Sequence, residues 1–429
     1  MIYLNTSIMN YIFSYILYIC LFISSISISQ QSSRLIAGPM FSYVDSYGTQ
    51  IWFLLESGAS KIDLDIKDYE NNSLLEYTFE VVNKDDLKEF PFVISLEDLV
   101  PNMEYIVSVF IDDVFVKEMD LFTKRPHIDN LQFLLGSNLS SNPDVLSTEI
   151  FNHMQASKSD FMVWLGGHVA FSNFGSCVSP ENLTFQGMFD SYVGARTSPV
   201  LNQFMSSTPQ IATWGISDYA TFPNSLRALK DSSQFVFDLF WPNSLRKTYN
   251  YAYFDYGVYQ RYNYNDVDLF LLDSRTFISD SSLYGYTQID RLFQEMQNTG
   301  STFTIIASPV PFTFDTDDSF VNYEGEFNYF LEKIRVADID GLLFVSTSNN
   351  NARDRSEKEY VAEESFTQMN TYSVSNNSSP VTSDELNEFN FTSFTSNTYS
   401  LINVSGRYGD RVLSFETYNQ NGKIMYRKK

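Results

Sequence analysis

The chain carries little of the equipment from which catalytic sites are commonly built. Its 429 residues hold three histidines, His127, His153 and His168, and two cysteines, Cys20 and Cys177. That is too few soft ligands for a His- or Cys-rich metal cluster. No G-x-S-x-G nucleophile elbow, no H-E-x-x-H helix and no G-x-x-x-x-G-K-[ST] phosphate loop occurs. Asp315-Thr316-Asp317-Asp318 has some of the acid spacing of a calcium loop but lacks the glycine and closing Glu of an EF-hand. It reads as a hydrated acidic loop. What remains is a handful of single groups set just after short apolar runs. His168 follows Phe161–Leu165, Asp218 follows Ile211–Trp214, and Asp273 and Arg275 end the run from Val267 to Leu272. Carboxylates and imidazoles at strand ends can hold a cation or move a proton. The plainer reading is that Asp218 caps a turn, His168 is a hydrogen-bonded loop residue, and Asp273 pairs with Arg275 to stabilise a strand end.

Bulk composition narrows the partners. Lys and Arg total 28 against 52 for Asp and Glu, giving a net charge of -24. A protein that tracks phosphates along a nucleic acid needs a positive footprint, so nucleic-acid binding is excluded as an expectation. A hydrophobic content of 44% rules out wholesale disorder. Residues 1–29 contain no charged side chain, and the stretch 11–28 is almost wholly apolar. With Ser27-Ile28-Ser29 as a small-residue cleavage site, this reads as a signal peptide, or as an anchor if it is not removed. The expected location is secreted, periplasmic or at the cell surface, with membrane contact only if residues 11–28 stay uncleaved. After cleavage Cys177 is the only thiol, so no internal disulfide is available.

Two units must position these groups. Residues 34–125 alternate apolar and polar side chains over short runs, as in Ile62, Leu64 and Ile66, then Tyr105, Val107 and Val109. Pro101-Asn102 and Asp112-Asp113 supply turns. An all-β sandwich of immunoglobulin or fibronectin III type is expected, serving as a packing or spacer module. From residue 126 to 429 the pattern changes to α/β. Leu131–Leu135 and Phe161–Leu165 read as buried strands ending in glycine loops. Ile289, Leu292, Phe293 and Met296 make a helical stripe, followed by strands at Phe303–Ala307 and Leu342–Ser346. Residues 354–397 read as polar surface loops, and the chain closes with a hairpin turning at Asn419-Gln420-Asn421-Gly422. Tyr249, Tyr251, Tyr253, Tyr256, Tyr259, Tyr262 and Tyr264 are dense enough to suggest a sticky exposed face.

From Gly38 onward the order of short motifs resembles the PhoD-type alkaline phosphatases, a secreted metallophosphatase family. Gly38-Pro39-Met40 and Ile51-Trp52 are similar to the start of its N-terminal β domain. Leu135-Gly136-Ser137, Asp160–Gly166, Arg196-Thr197-Ser198-Pro199 and Ile211-Ala212-Thr213-Trp214 follow in the family's order. The stretch from Asp266 to Arg275, then Gly341–Ser346 and Gly409-Asp410-Arg411-Val412, complete the resemblance across the mature chain. It implies a layered metallophosphatase α/β sandwich flanked by helices, with ester hydrolysis assisted by bound calcium, iron or zinc.

The resemblance also implies where ligands should stand, and there this chain departs from the pattern. The family's Gly-Ser-Cys is Gly136-Ser137-Asn138 here, and its Gly-Asp-Asn/His is Gly166-Gly167-His168. Its Trp-Asp-Asp-His-Asp is Trp214-Gly215-Ile216-Ser217-Asp218. Its Ser-Gly-Asp-x-His-His is Ser346-Thr347-Ser348-Asn349-Asn350-Asn351. Glycine, serine and asparagine cannot replace the charge neutralisation that anions and imidazoles give a metal. The degenerate-site positions are therefore Asn138, Gly167, His168, Gly215, Ser217, Asp218, Asp273, Arg275, Ser348, Asn350 and Asn351. Only Asp218 and His168 are candidate ligands. The expectation is an inactive pseudophosphatase without cofactor, binding an unknown protein or a polar surface ligand. The alternative is a metal-dependent phosphoesterase with a rebuilt site.

Overall fold

The structure, a computed structural model, describes residues 33–83, 87–125, 130–139, 148–169, 184–219, 227–243, 257–298, 300–312, 319–337, 339–347, 368–371 and 397–429. The apolar N-terminus, Cys177, Tyr249 to Tyr256, the Asp315–Asp318 loop, and Ser348, Asn350 and Asn351 lie outside them. So does all of the stretch 354–397 except 368–371 and Asn397. Among the described residues no helix is long and apolar enough to cross a membrane.

Alternation in the first hundred residues folds as a strand pattern should. Strands β1 (Leu35–Phe41), β2 (Thr49–Glu56) and β5 (Glu89–Leu96) form one antiparallel sheet. Strands β4 (Ser73–Glu80), β3 (Lys61–Lys67), β6 (Glu104–Ile111) and β7 (Val114–Phe122) form a second. Ile51, Phe53 and Leu55 from one sheet meet Ile62, Leu64, Ile66, Val107 and Val109 from the other. The turns fall at Asn102, Asp112 and Asp113, whose φ values of 59, 47 and 65° are the left-handed conformations that Asn and Asp tolerate best. The other face of β2 presents Trp52 and Leu54, which join Ala37 and Met40 in a core shared with helices of the second unit. Trp52 Nε1 donates to the Leu239 carbonyl at 2.8 Å. The sandwich is thus docked by a buried apolar face.

The remainder is a layered α/β sandwich. One sheet runs β10 (Gln210–Thr213), β9 (Phe161–Leu165), β8 (Leu131–Gly136), β16 (Thr398–Ser405), β17 (Val412–Asn419), β18 (Ile424–Lys428). The other runs β11 (Gln260–Tyr264), β12 (Val267–Leu271), β13 (Phe303–Ser308), β14 (Leu342–Thr347), β15 (Gln368–Thr371). Strand β15, parallel to β14, lies within the stretch expected to be loops only. The pairs β10–β9, β9–β8, β12–β13 and β13–β14 are parallel, so their carboxyl ends gather on one rim. Period two divides each strand: Phe133, Leu135, Val163 and Leu165 face Leu269, Leu271, Ile305 and Val345 between the sheets. Leu134, Met162 and Trp164 face outward to α1 (Thr148–Ala156), α2 (Phe185–Thr197), α3 (Pro199–Met205) and α5 (Arg227–Phe240). On the far side, α6 (Tyr286–Met296) and α7 (Glu324–Ala337) cover Phe270, Ile306 and Phe344. A short helix, α4 (Ile216–Tyr219), follows β10.

Tyr259, Tyr262 and Tyr264 do not form an exposed face: they are 5%, 0% and 3% accessible. Tyr262 and Tyr264 sit two apart on β11, so the pleat sends both into the inter-sheet core, where Tyr43 meets them at centroid distances of 4.8 and 5.1 Å. Two stretches that carry the family resemblance act as a staple. Arg411, between β16 and β17, grips Asp266 at the start of β12 through Nη2–Oδ1 at 2.6 Å and Nε–Oδ2 at 2.9 Å. Both side chains are 2% exposed, and the guanidinium holds the Asp266 carboxyl below its usual range. This fork ties one sheet to the other.

Candidate functional site

The rim where the parallel strands end is where ligand-bearing loops would have to stand. Three of the four motifs expected to carry ligands meet there. The Asn138 N–H donates to the Gly166 carbonyl at 3.0 Å, and the Leu139 N–H to the Gly167 carbonyl at 2.7 Å. The β8–β9 pairing therefore continues past the strand ends. Asn138, Gly166 and Gly167 all lie in the left-handed region, with φ of 52, 76 and 72°. A Cβ on Gly167 would fall 2.6 Å from Asn138 Cα and 2.7 Å from its backbone N. One on Gly166 would fall 2.5 Å from the Gly215 N. Only glycine permits these approaches. Backbone packs against backbone where ligand side chains would project.

Asp218 is fully buried in α4 and is surrounded by backbone donors. Its Oδ2 accepts from Gly167 N at 2.7 Å and Gly215 N at 2.8 Å. Its Oδ1 accepts from His168 N at 2.7 Å and Val169 N at 3.2 Å. Two carboxylate oxygens offer about four lone-pair positions, and four N–H groups take them. His168 is equally committed. Its Nε2 lies 2.8 Å from the Thr213 carbonyl, which fixes that nitrogen as the N–H donor. The ring packs on Trp241 at 4.7 Å and on Phe237 at 6.0 Å, and burial pushes its pKa down. The remaining Nδ1 is buried without a hydrogen-bond partner among the described residues. Asp218 and His168 are joined by the His168 N–H.

Asp273 also serves as a hub of turn hydrogen bonds. It accepts from Trp214 Nε1 at 2.7 Å, Val258 N at 2.7 Å, Arg275 N at 2.8 Å, Thr276 N at 3.0 Å and Thr276 Oγ1 at 2.6 Å. The expected Asp273–Arg275 ion pair is corrected accordingly: Asp273 takes the backbone N–H of Arg275, and its oxygens are filled by that and by donors from Thr276, Trp214 and Val258. Gln288 on α6 clamps the same turn through Asp273 N and O, both at 2.8 Å. Gln288 was missed from sequence. Its signal is a buried polar residue adjoining the stripe of Ile289 and Leu292. Between the two sheets, Ser137 Oγ hydrogen-bonds Thr347 Oγ1, and Thr213 Oγ1 donates to the Leu272 carbonyl at 2.8 Å. Ser137, Thr213, Ser346 and Thr347 are all at most 2% exposed. Neutral hydroxyls stitch the rim together.

No family model matches the sequence, and no curated protein matches it. Among solved structures, one described as the structure of PhoD superposes with a TM-score of 0.73, covering 93% of each chain at 13% identity. The fold is that of PhoD. A sensor domain of the anti-sigma factor RsgI4 from Pseudobacteroides cellulosolvens aligns at a TM-score of 0.17 over 21% of this chain and 86% of its own, at 16% identity. A β-glucuronidase from Parabacteroides merdae aligns at 0.31 over 78% of this chain and 46% of its own, at 10% identity. Neither carries an argument. Against the PhoD fold, the metal expected from the motif resemblance can be tested on the donors present. Asp218 and Asp273 spend their oxygens on hydrogen-bond donors, and His168 spends one nitrogen on Thr213. Gly167 and Gly215 present no ligand atom in a side chain. Among the described residues, this donor set does not fit a two-metal centre, and no group of three His, Cys, Asp or Glu side chains gathers elsewhere.

Proposed function

We propose that this protein is an exported PhoD-like pseudophosphatase, in which a fibronectin III-type sandwich precedes a metallophosphatase sandwich that binds or scaffolds rather than hydrolyses. One observation carries the reading: the four backbone N–H groups on Asp218. A carboxylate so saturated would have to break charge-assisted hydrogen bonds before it could hold a cation, at roughly 1.5–3 kcal/mol each. Asp273 supports the same conclusion, since five donors surround it. The sealed Asn138–Gly167 crossing adds a steric argument, because no ligand side chain fits there. The sandwich order β1-β2-β5 against β4-β3-β6-β7 supports the fibronectin III-type assignment. Export rests on the uncharged apolar stretch of residues 1–29, with a secreted, periplasmic or surface location following from it. Its partner is a protein or polar surface ligand.

The test is direct. The mature chain is purified, its bound metals are measured, and phosphomonoester and phosphodiester hydrolysis is assayed with calcium, iron, zinc and manganese supplied. No stoichiometric metal and no metal-dependent turnover is the expected result. Metal-dependent turnover that is lost on Asp218→Asn overturns the proposal in favour of a rebuilt phosphoesterase site.

A further inference from the structure

The main-chain donors on Asp218 include three consecutive residues, Gly167, His168 and Val169, whose N–H groups all turn to the same carboxylate. Gly215 N completes the set from the neighbouring strand end. The loop aims these donors itself. Gly166 and Gly167 take positive φ, 76 and 72°. Their carbonyls are braced by the Asn138 and Leu139 N–H groups at 3.0 and 2.7 Å. Successive N–H groups turned to one side in this way form a concavity that binds anions. A buried cation stands behind it. Arg196 is 2% exposed and has no carboxylate within ion-pair distance among the described residues. Its Nη2 donates to the Phe240 carbonyl at 2.9 Å, and its Nε is buried without a hydrogen-bond partner among those residues. The guanidinium lies 4.1 Å from the centre of the Trp241 ring, and that ring packs on His168 at 4.7 Å. Asp218 and Arg196 both act on the charge of His168, in opposite senses.

We propose that this loop is an oxyanion site, shaped for a small carboxylate and filled in cis by Asp218. A carboxylate suits it because two oxygens offer about four lone-pair positions to four donors. Wild type keeps free anions out, since a tethered group outcompetes a dissolved one. Without that side chain, four buried N–H groups and the Arg196 charge are left with no anion, which is costly away from water. A simple cap behaves differently. If the side chain alone holds the loop in shape, the loop collapses once it is gone and no dissolved anion takes its place. The site does not depend on the loss of hydrolysis: a chain without turnover whose loop ignores carboxylates would sink this proposal alone.

Asp218→Ala removes a group close to formate in size and charge. The full chain with this change is unfolded in urea with sodium formate, and again with sodium chloride at the same ionic strength. Chloride leaves the midpoint lowered. Formate is expected to return at least half of the lost shift, growing with concentration as a bound ligand's effect does, and to leave wild type unmoved. Formamide, the neutral isostere, returns none of it. Asp218→Asn, whose amide still fills the space, gains nothing from formate. Where the alanine variant is already unfolded in chloride, the same comparison reads as refolding in formate only. A midpoint indifferent to formate overturns the proposal, and so does a chain unfolded in both salts. Equal rescue by formamide or chloride, or equal rescue of the asparagine variant, overturns it too.

Discussion

Asp218→Asn separates a cap from a metal ligand, because the two roles predict opposite things about a metal-free protein. The amide keeps one carbonyl oxygen, which can still accept two of the four backbone N–H groups. Its NH₂ must face the other two, either Gly167 and Gly215 or His168 and Val169. Two charge-assisted hydrogen bonds are lost and replaced by opposed donors in a site with no access to water. At roughly 1.5–3 kcal/mol each, the cost is about 3–6 kcal/mol. That is a large part of the 5–15 kcal/mol that typically holds a folded chain. Urea unfolding in EDTA reads it as a lower midpoint with an unchanged slope. The ligand reading predicts the reverse: a removed metal-site carboxylate relieves repulsion in the metal-free protein and costs little. If the variant unfolds in EDTA at the wild-type midpoint, or if added calcium or manganese stabilises wild type but not the variant, the capping argument fails.

The remaining predictions concern other joints of the fold. Gly167→Ala would place a Cβ within 2.7 Å of Asn138 backbone at a φ of 72°, so a loss of about 3 kcal/mol or more is expected in the same denaturant assay. Gly167→Asp, which supplies the acidic residue that the motif resemblance implies there, would for the same reason bind no metal by calorimetry. Lys124 is buried over the Tyr264 ring at 4.1 Å with Asp160 at 3.9 Å, and burial lowers its pKa from 10.5 to about 8. That depression is worth about 3 kcal/mol. Between pH 8 and 10.5 the unfolded chain holds a proton that the folded one has shed, so wild-type stability rises with pH across that window. Lys124→Met should therefore compare best with wild type at pH 7, where the buried ammonium is charged. That advantage should vanish by about pH 11, and an advantage independent of pH would refute the assignment. Trp52→Ala removes the ring that bolts the sandwich to Leu239, and should cost about 4 kcal/mol by calorimetric unfolding.

The layers were legible because burial writes itself into local periodicity. Leu131–Leu135, Phe161–Leu165 and the stripe at Ile289, Leu292, Phe293 and Met296 all landed in the elements their spacing predicts. The chemistry of the rim was less legible, because its decisive contacts join positions far apart in the chain. The donors on Asp218 include Gly167 and Val169, 51 and 49 residues earlier. No pattern around Ile216-Ser217-Asp218 announces them. Lys124 shows the same limit: it follows β7 and precedes Arg125-Pro126, the look of a solvated linker, yet its side chain is 8% exposed. The tyrosines mislead for a different reason. Their density suggests an exposed face, whereas the period-two spacing of Tyr262 and Tyr264 points inward.

The residues at the expected ligand positions do more than leave a gap. A cluster of carboxylates without its cations is held apart by mutual repulsion. Glycine at 166, 167 and 215 lets three strand ends touch, while Ser137 and Thr347 close the gap between sheets with a neutral hydrogen bond. Asp218 then finds its partners in the loops that closed around it. Each contact of this closed arrangement adds stability that opening it would forfeit. Restoring one ligand cannot reverse this, because the space it needs is occupied by main chain rather than by a side chain that could swing away.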